Sequence, residues 1–183
     1  MLSFPRENLS GGKDGFNAME HLIRKMMEAD WPEVSRIYQE GMDTNLATFQ
    51  WKCPSWEEWD KSHLEECRWV ATSENSLLGW AALTPVSGRC VFAGVAEVSV
   101  YVSTDAKRNG IGGALLFELI RSSEKNGFWM LQSGIMQDNI PSIRLHERCG
   151  FRMVGYREKI GRDRFGIWRN IVLMERRSPS DQW

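Results

Sequence analysis

The segment from Val91 to Lys125 constrains the fold of this chain more than any other. Val91 to Val102 reads as a strand, rich in β-branched and small apolar residues. A polar connection from Ser103 to Asn109 follows, and Gly110-Ile111-Gly112-Gly113 then opens an apolar-periodic helix, Ala114 to Lys125, closed by Asn126-Gly127. In a strand, glycine turn and helix in that order, the backbone can approach a ligand closely. The unpaired N–H groups of the first helical turn, aided by the helix dipole, can then solvate a diphosphate. Lys107 and Arg108 add positive charge beside that turn, and Asn109 leads into it. The alternative is a helix start whose glycines only fit a tight bend. Two other phosphate-binding motifs fail on spacing: the dinucleotide fingerprint needs a third glycine where Leu115 stands, and no Gly-Lys-Ser/Thr follows.

The rest of the chain places this unit within a mixed α/β order. Residues 1–19 carry turn formers without a sustained period and are expected to be a flexible leader. His21 to Lys25 reads as a short strand. Asp30 before Trp31-Pro32 reads as a helix start, with Val34, Ile37 and Tyr38 on its apolar stripe and Gly41 as its end. Ser55 and Glu58 have the spacing of a capping box for a second helix. Trp69–Thr72 and Leu77–Leu83 join the Val91–Val102 strand in an antiparallel meander. After the central helix come a strand at Trp129–Ile135, a short helix from Asn139 and Pro141 to Arg148, and strands at Phe151–Tyr156 and Trp168–Met174. The expectation is one α/β (α+β) domain over residues 20–176: a mixed, mostly antiparallel sheet of six to seven strands, about four helices, and a tail at 177–183.

At 183 residues the chain is long enough to bury a core without metal or disulfide staples. Its formal net charge of −1 gives no broad basic face for nucleic acid or anionic membrane. No apolar run reaches the roughly 20 residues of a membrane span, and no basic-then-apolar leader is visible, so a cytoplasmic protein is expected. Cys53, Cys67, Cys90 and Cys149 are too widely spaced for a zinc or redox motif and are read as reduced thiols; no metal site is expected. The nine tryptophans are read chiefly as packing residues.

Glu97 stands out chemically. Glutamate is disfavoured in strands, and here Val98, Val100 and Val102 supply the opposite, apolar face. A carboxylate so placed can take a proton from a bound group, directly or through a water. A salt-bridged surface glutamate is the alternative. Asn139, Ser142 and His146 share one helical stripe, so His146 is either a proton donor or relay on the same side or a packing histidine.

Lys107 to Gly112 resembles the Arg/Gln-x-x-Gly-x-Gly/Ala motif of the GNAT acetyltransferases, with Lys107 in the place of the usual Arg or Gln. Further matches follow at Glu97 with Val100-Tyr101-Val102, Asn139 with Pro141-Ser142, Leu145-His146-Glu147 and Gly150-Phe151. With Thr48-Phe49, these resemble the phosphinothricin-acetyltransferase branch over roughly residues 20–175. The resemblance implies an acetyl-CoA-dependent N-acetyltransferase acting on a small-molecule amine, with Glu97 as general base and His146 as a second catalytic candidate. It implies that the diphosphate lies on Lys107, Arg108, Asn109, Gly110, Ile111, Gly112 and Gly113. The pantetheine arm would pair along Val100, Tyr101 and Val102, with Asn139 and Ser142 nearby. Phe49 and Arg89 would serve the acceptor. Ser87 stands where the branch carries a substrate-binding arginine, leaving Arg89 either as its replacement or as a solvated turn residue. The segment from Gly161 to Trp168 implies a homodimer. A binding module that has kept the cofactor site and lost the chemistry is the competing reading.

Overall fold

The structure, a computed structural model, describes residues 20–74 and 76–179; the leader expected at 1–19 lies outside them. Seven strands form one sheet in the order β1-β2-β3-β4-β5-β7-β6: β1 Leu22–Lys25, β2 Trp69–Ser73, β3 Ser76–Pro85, β4 Val95–Val102, β5 Met130–Met136, β6 Arg152–Arg162 and β7 Trp168–Arg177. Every neighbouring pair is antiparallel except β4 and β5. Four helices cover it: α1 Trp31–Asp43, α2 Trp56–Ser62, α3 Ile111–Lys125 and α4 Ile140–Arg148.

The two faces of the sheet bury different side chains. Under α3, Ile111, Leu115, Leu116, Leu119 and Ile120 pack with Leu78, Val98, Leu131 and Val172, while Phe117 on the outer face of α3 is exposed. At roughly 1.5–3 kcal/mol for each fully buried large aliphatic side chain, this stripe is what holds α3 to the sheet. The other face is aromatic: Trp59, Trp80 and Tyr38 join Val34, Ile37 and Met42 beneath α1 and α2. Trp51 and Trp168, by contrast, are exposed, so packing explains only some of the tryptophans.

Several boundaries differ from the sequence expectation, each for a local reason. Helix α1 runs through Gly41 to Asp43 because Gly41 leaves room for the Tyr101 ring; a Cβ there would lie 2.6 Å from Tyr101 Cδ1. Asp30 does not cap α1 with its side chain, since both its oxygens are bonded to Arg24. Ser55 and Glu58 do close the expected capping box on α2. Val91 and Phe92 belong to a 3-10 turn, Cys90–Phe92, rather than to β4, and both are exposed. Strand β6 extends well past Tyr156, and its pairing with β7 shifts between Arg157 and Gly161.

Candidate active site

Strands β4 and β5 part company soon after they meet. Their parallel pairing covers Val95↔Met130, Ala96↔Leu131 and Glu97↔Gln132, whereas β4 stays paired to β3 as far as Val102. Ser103 N–H donates to Leu78 O on the β3 side, at 2.8 Å. By strand alternation the main-chain groups of Val100 and Val102 therefore point toward β5, where no ladder partner meets them. That splay leaves a slot with an unpaired main-chain edge, open to an extended ligand.

The slot leads to the start of α3. Gly110 caps that helix in the left-handed region, at φ 80°, and a Cβ there would touch nothing within 4 Å. Arg108 also has a positive φ, 68°. The first capping bond within α3 is Ala114 N–H to Gly110 O at 3.1 Å. The N–H groups of Ile111, Gly112 and Gly113 precede it and have no intrahelical acceptor. Exposed Lys107 and Arg108 flank this turn, and the Asn109 amide braces it through the carbonyls of Ala106 and Lys107. Gly112 and Gly113 lie against Leu145 of α4, so α4 forms the neighbouring wall.

Glu97 sits where the strands begin to diverge, half-buried, with its carboxylate accepting a 3.2 Å hydrogen bond from Gln132 Nε2. It opens onto a cavity of about 510 Å³ lined by Phe49, Gln132, Arg157, Gly161, Ile171 and Leu173, among others. Far-apart segments join at its rim. Phe49 packs on Gly161, Asn45 Nδ2 donates to Asp163 at 2.8 Å, and Arg164 pairs with Asp43. The Asn45 bond, with N–H groups of Ile167 and Phe165, holds the Asp163 carboxyl below the usual carboxylate range. The β6–β7 turn is thereby latched to the segment between α1 and α2.

The other sequence candidates are placed less simply. Asn139 caps α4, accepting from Ser142 N–H, and its amide donates to Leu46 O at 3.1 Å. His146 is buried, with Nδ1 2.8 Å from Ser142 O and its ring edge-on to Phe151. Burial pushes its pKa down, and Nε2 has no partner. His146 does not line the cavity. Nor does Arg89, which lies exposed before the 3-10 turn with its guanidinium over the Phe92 ring. Sequence reasoning missed Gln132, Arg157 and the Asn45–Asp163 latch. The alternation of β5 was a signal for Gln132, since it places that side chain level with Glu97.

Known proteins share this arrangement. The Acetyltransferase (GNAT) family profile matches residues 16–151. A phosphinothricin N-acetyltransferase from Streptomyces coelicolor is 32% identical over 162 residues, covering 84% of this chain and 94% of that protein. An L-methionine sulfoximine/L-methionine sulfone acetyltransferase from Pseudomonas aeruginosa is 28% identical, covering 86% and 94%. The crystal structure of a GNAT superfamily phosphinothricin acetyltransferase from Sinorhizobium meliloti in complex with AcCoA superposes with a TM-score of 0.77 at 26% identity, covering 88% and 94%. With a matching profile over most of its length and a splayed β4–β5 pair beside the glycine turn of α3, this chain belongs to the GNAT acetyltransferase family.

Proposed function

We propose that the protein transfers the acetyl group of acetyl-CoA to the primary amine of a small, amino-acid-like molecule, with Glu97 accepting the amine proton. The observation that carries this reading is the position of Glu97, in the last paired position of β4 with β5 and on the lining of the cavity. Acetyl-CoA, when bound, supplies a thioester carbonyl open to attack by an amine. The chain's own groups fit it. Unpaired N–H groups at the start of α3, with Lys107, Arg108 and Asn109 beside them, receive the diphosphate. Gly110 leaves the space clear, and the edge at Val100, Tyr101 and Val102 pairs with the pantetheine arm. Ser142 and Asn139, at the start of α4, border the same arm.

Glu97 does the proton work. Held by Gln132 Nε2, its carboxylate takes a proton from the ammonium so that the nitrogen lone pair is free to attack. The main-chain N–H of Val100 donates to the oxygen on which negative charge develops. Attack is direct, because none of the four cysteines lines the cavity. His146, neutral and buried, serves the departing thiolate only through a relay and otherwise positions α4 against Phe151.

The same reading takes the enzyme as a cytoplasmic homodimer. No helix among the described residues is long and apolar enough to cross a membrane. The β6–β7 hairpin exposes Met153, Val154, Tyr156, Phe165 and Ile167, and sedimentation velocity would report the dimer. The activity is tested by following CoA release with phosphinothricin, methionine sulfoximine, methionine sulfone and simple polyamines. Turnover on an amino acid but not on polyamines is the expected pattern. Turnover confined to polyamines would remove the amino-acid acceptor.

A further inference from the structure

Resting on that reading, we infer that Arg157 selects acceptors that carry a negative group several bonds from the reacting amine. The register puts Arg157 on the same sheet face as the base. Arg157 pairs with Ile171 and Ile171 with Met136, while Glu97 pairs with Gln132 and Gly134 with Leu173. Strand alternation brings Glu97, Gln132, Gly134, Leu173, Ile171 and Arg157 to one surface, and all six line the same cavity. The Arg157 side chain makes no hydrogen bond, ion pair or ring contact among the described residues, unlike those of Arg152, Arg164 and Arg169, which pair with Glu175, Asp43 and Asp138. Arg162, also on the cavity wall, is stacked over Trp168. Arg157 is thus a positive group on the cavity wall whose side chain is paired with no acid among the described residues.

Such a group repels an acceptor whose only charge is its ammonium. It suits one that places its amine at Glu97 and an anion at the far end. The span decides which anion. Three strand spacings and four residues along the register separate Glu97 from Arg157, on the order of 20 Å between their main chains, a span that the two side chains and the acceptor have to bridge together. A carboxylate on the carbon that bears the amine lies too close to Glu97 to reach Arg157. A carboxylate or phosphinate at the end of a short side chain fits, with Ile171 and Leu173 against the intervening methylenes. The planar guanidinium suits a two-oxygen anion better than a point charge would.

Phosphinothricin and methionine sulfone test this directly, because they share a shape and differ by one negative charge at the distal phosphorus or sulfur. The wild type should favour phosphinothricin by roughly tenfold or more in kcat/KM, as expected for one charge-assisted contact. In Arg157→Gln that ratio should fall to within about threefold of unity, carried by KM, with Arg157→Lys between the two. A ratio unchanged in Arg157→Gln, or a wild type that favours the sulfone, overturns the role of Arg157 and leaves the transferase intact. If acetyl-CoA binds yet neither amino acid is acetylated, the transferase reading is what fails. Calorimetry of phosphinothricin with the CoA-loaded protein then judges Arg157: affinity lost in Arg157→Gln upholds the anchor, and equal affinity overturns it.

Discussion

Replacing Gly41 by alanine sets two effects against each other. Near the end of α1, alanine gains up to about 1 kcal/mol of helix propensity over glycine. The new methyl would lie 2.6 Å and 2.7 Å from two carbons of the Tyr101 ring. That ring has nowhere to go, since it stacks on Trp80 at 4.7 Å and meets Tyr38 at 4.8 Å. Overpacking of this kind costs about 1–3 kcal/mol, so a net loss of about 1–2 kcal/mol is expected. For a chain of this size the melting temperature should then fall by roughly 2–8 °C in differential scanning calorimetry. Tyr101 lies between Val100 and Val102, so displacing it should also raise the KM for acetyl-CoA. In a Tyr101→Ala background the clash is gone and Gly41→Ala should stabilise. A rise in melting temperature in the otherwise wild-type protein would refute the reasoning, for propensity alone would then govern the position.

Three further outcomes are expected. Burial pushes the His63 pKa down to about 4, against the bond of its Nδ1 with Trp59 O and with Arg68 and Asp60 as the nearby charges. The unfolded chain takes up that proton near pH 6.5, so stability present above pH 6.5 should drop by up to about 3 kcal/mol as pH falls to 4. His63→Gln should flatten that window in a pH series of melts, and an equal slope would contradict it. Gln132→Leu removes the hydrogen bond that aims Glu97 and should lower kcat roughly ten- to hundredfold with little change in acetyl-CoA affinity, measured by steady-state kinetics and calorimetry. Gly110→Ala meets no atom but forces a side chain into the left-handed region. It should cost about 1–2 kcal/mol in a denaturant melt, and folded protein should bind acetyl-CoA more weakly.

The sequence made the glycine turn, α3 and Glu97 legible because each obeys a local rule. Periodicity marks the helix, glycine marks the left-handed cap, and a lone acid among alternating valines marks Glu97, which lines the cavity. The β6–β7 side of the cavity obeys no such rule. Strand β6 beyond Tyr156 reads Arg157-Glu158-Lys159-Ile160-Gly161-Arg162, without apolar alternation and with a register shift, so its charges look like a solvated turn until β7 pairs with it. Gly41 misled for the opposite reason. Its local signal says helix end, but the demand for space comes from Tyr101, sixty residues on in β4. Position in the motif leaves Arg89 open between acceptor contact and solvated turn; the guanidinium lies over the Phe92 ring of the 3-10 turn that follows it.

The central claim is that Glu97 removes the proton from an amine poised against a thioester held along β4 and α3. The direct measurement is kcat for wild type and Glu97→Gln on a free amino acid that the wild type acetylates, with acetyl-CoA affinity followed by calorimetry on the same preparations. A loss of roughly 10²–10⁴ in kcat, with acetyl-CoA bound as tightly as before and partial recovery at high pH where the amine deprotonates unaided, is the expected result. Equal turnover by the two proteins would contradict the claim.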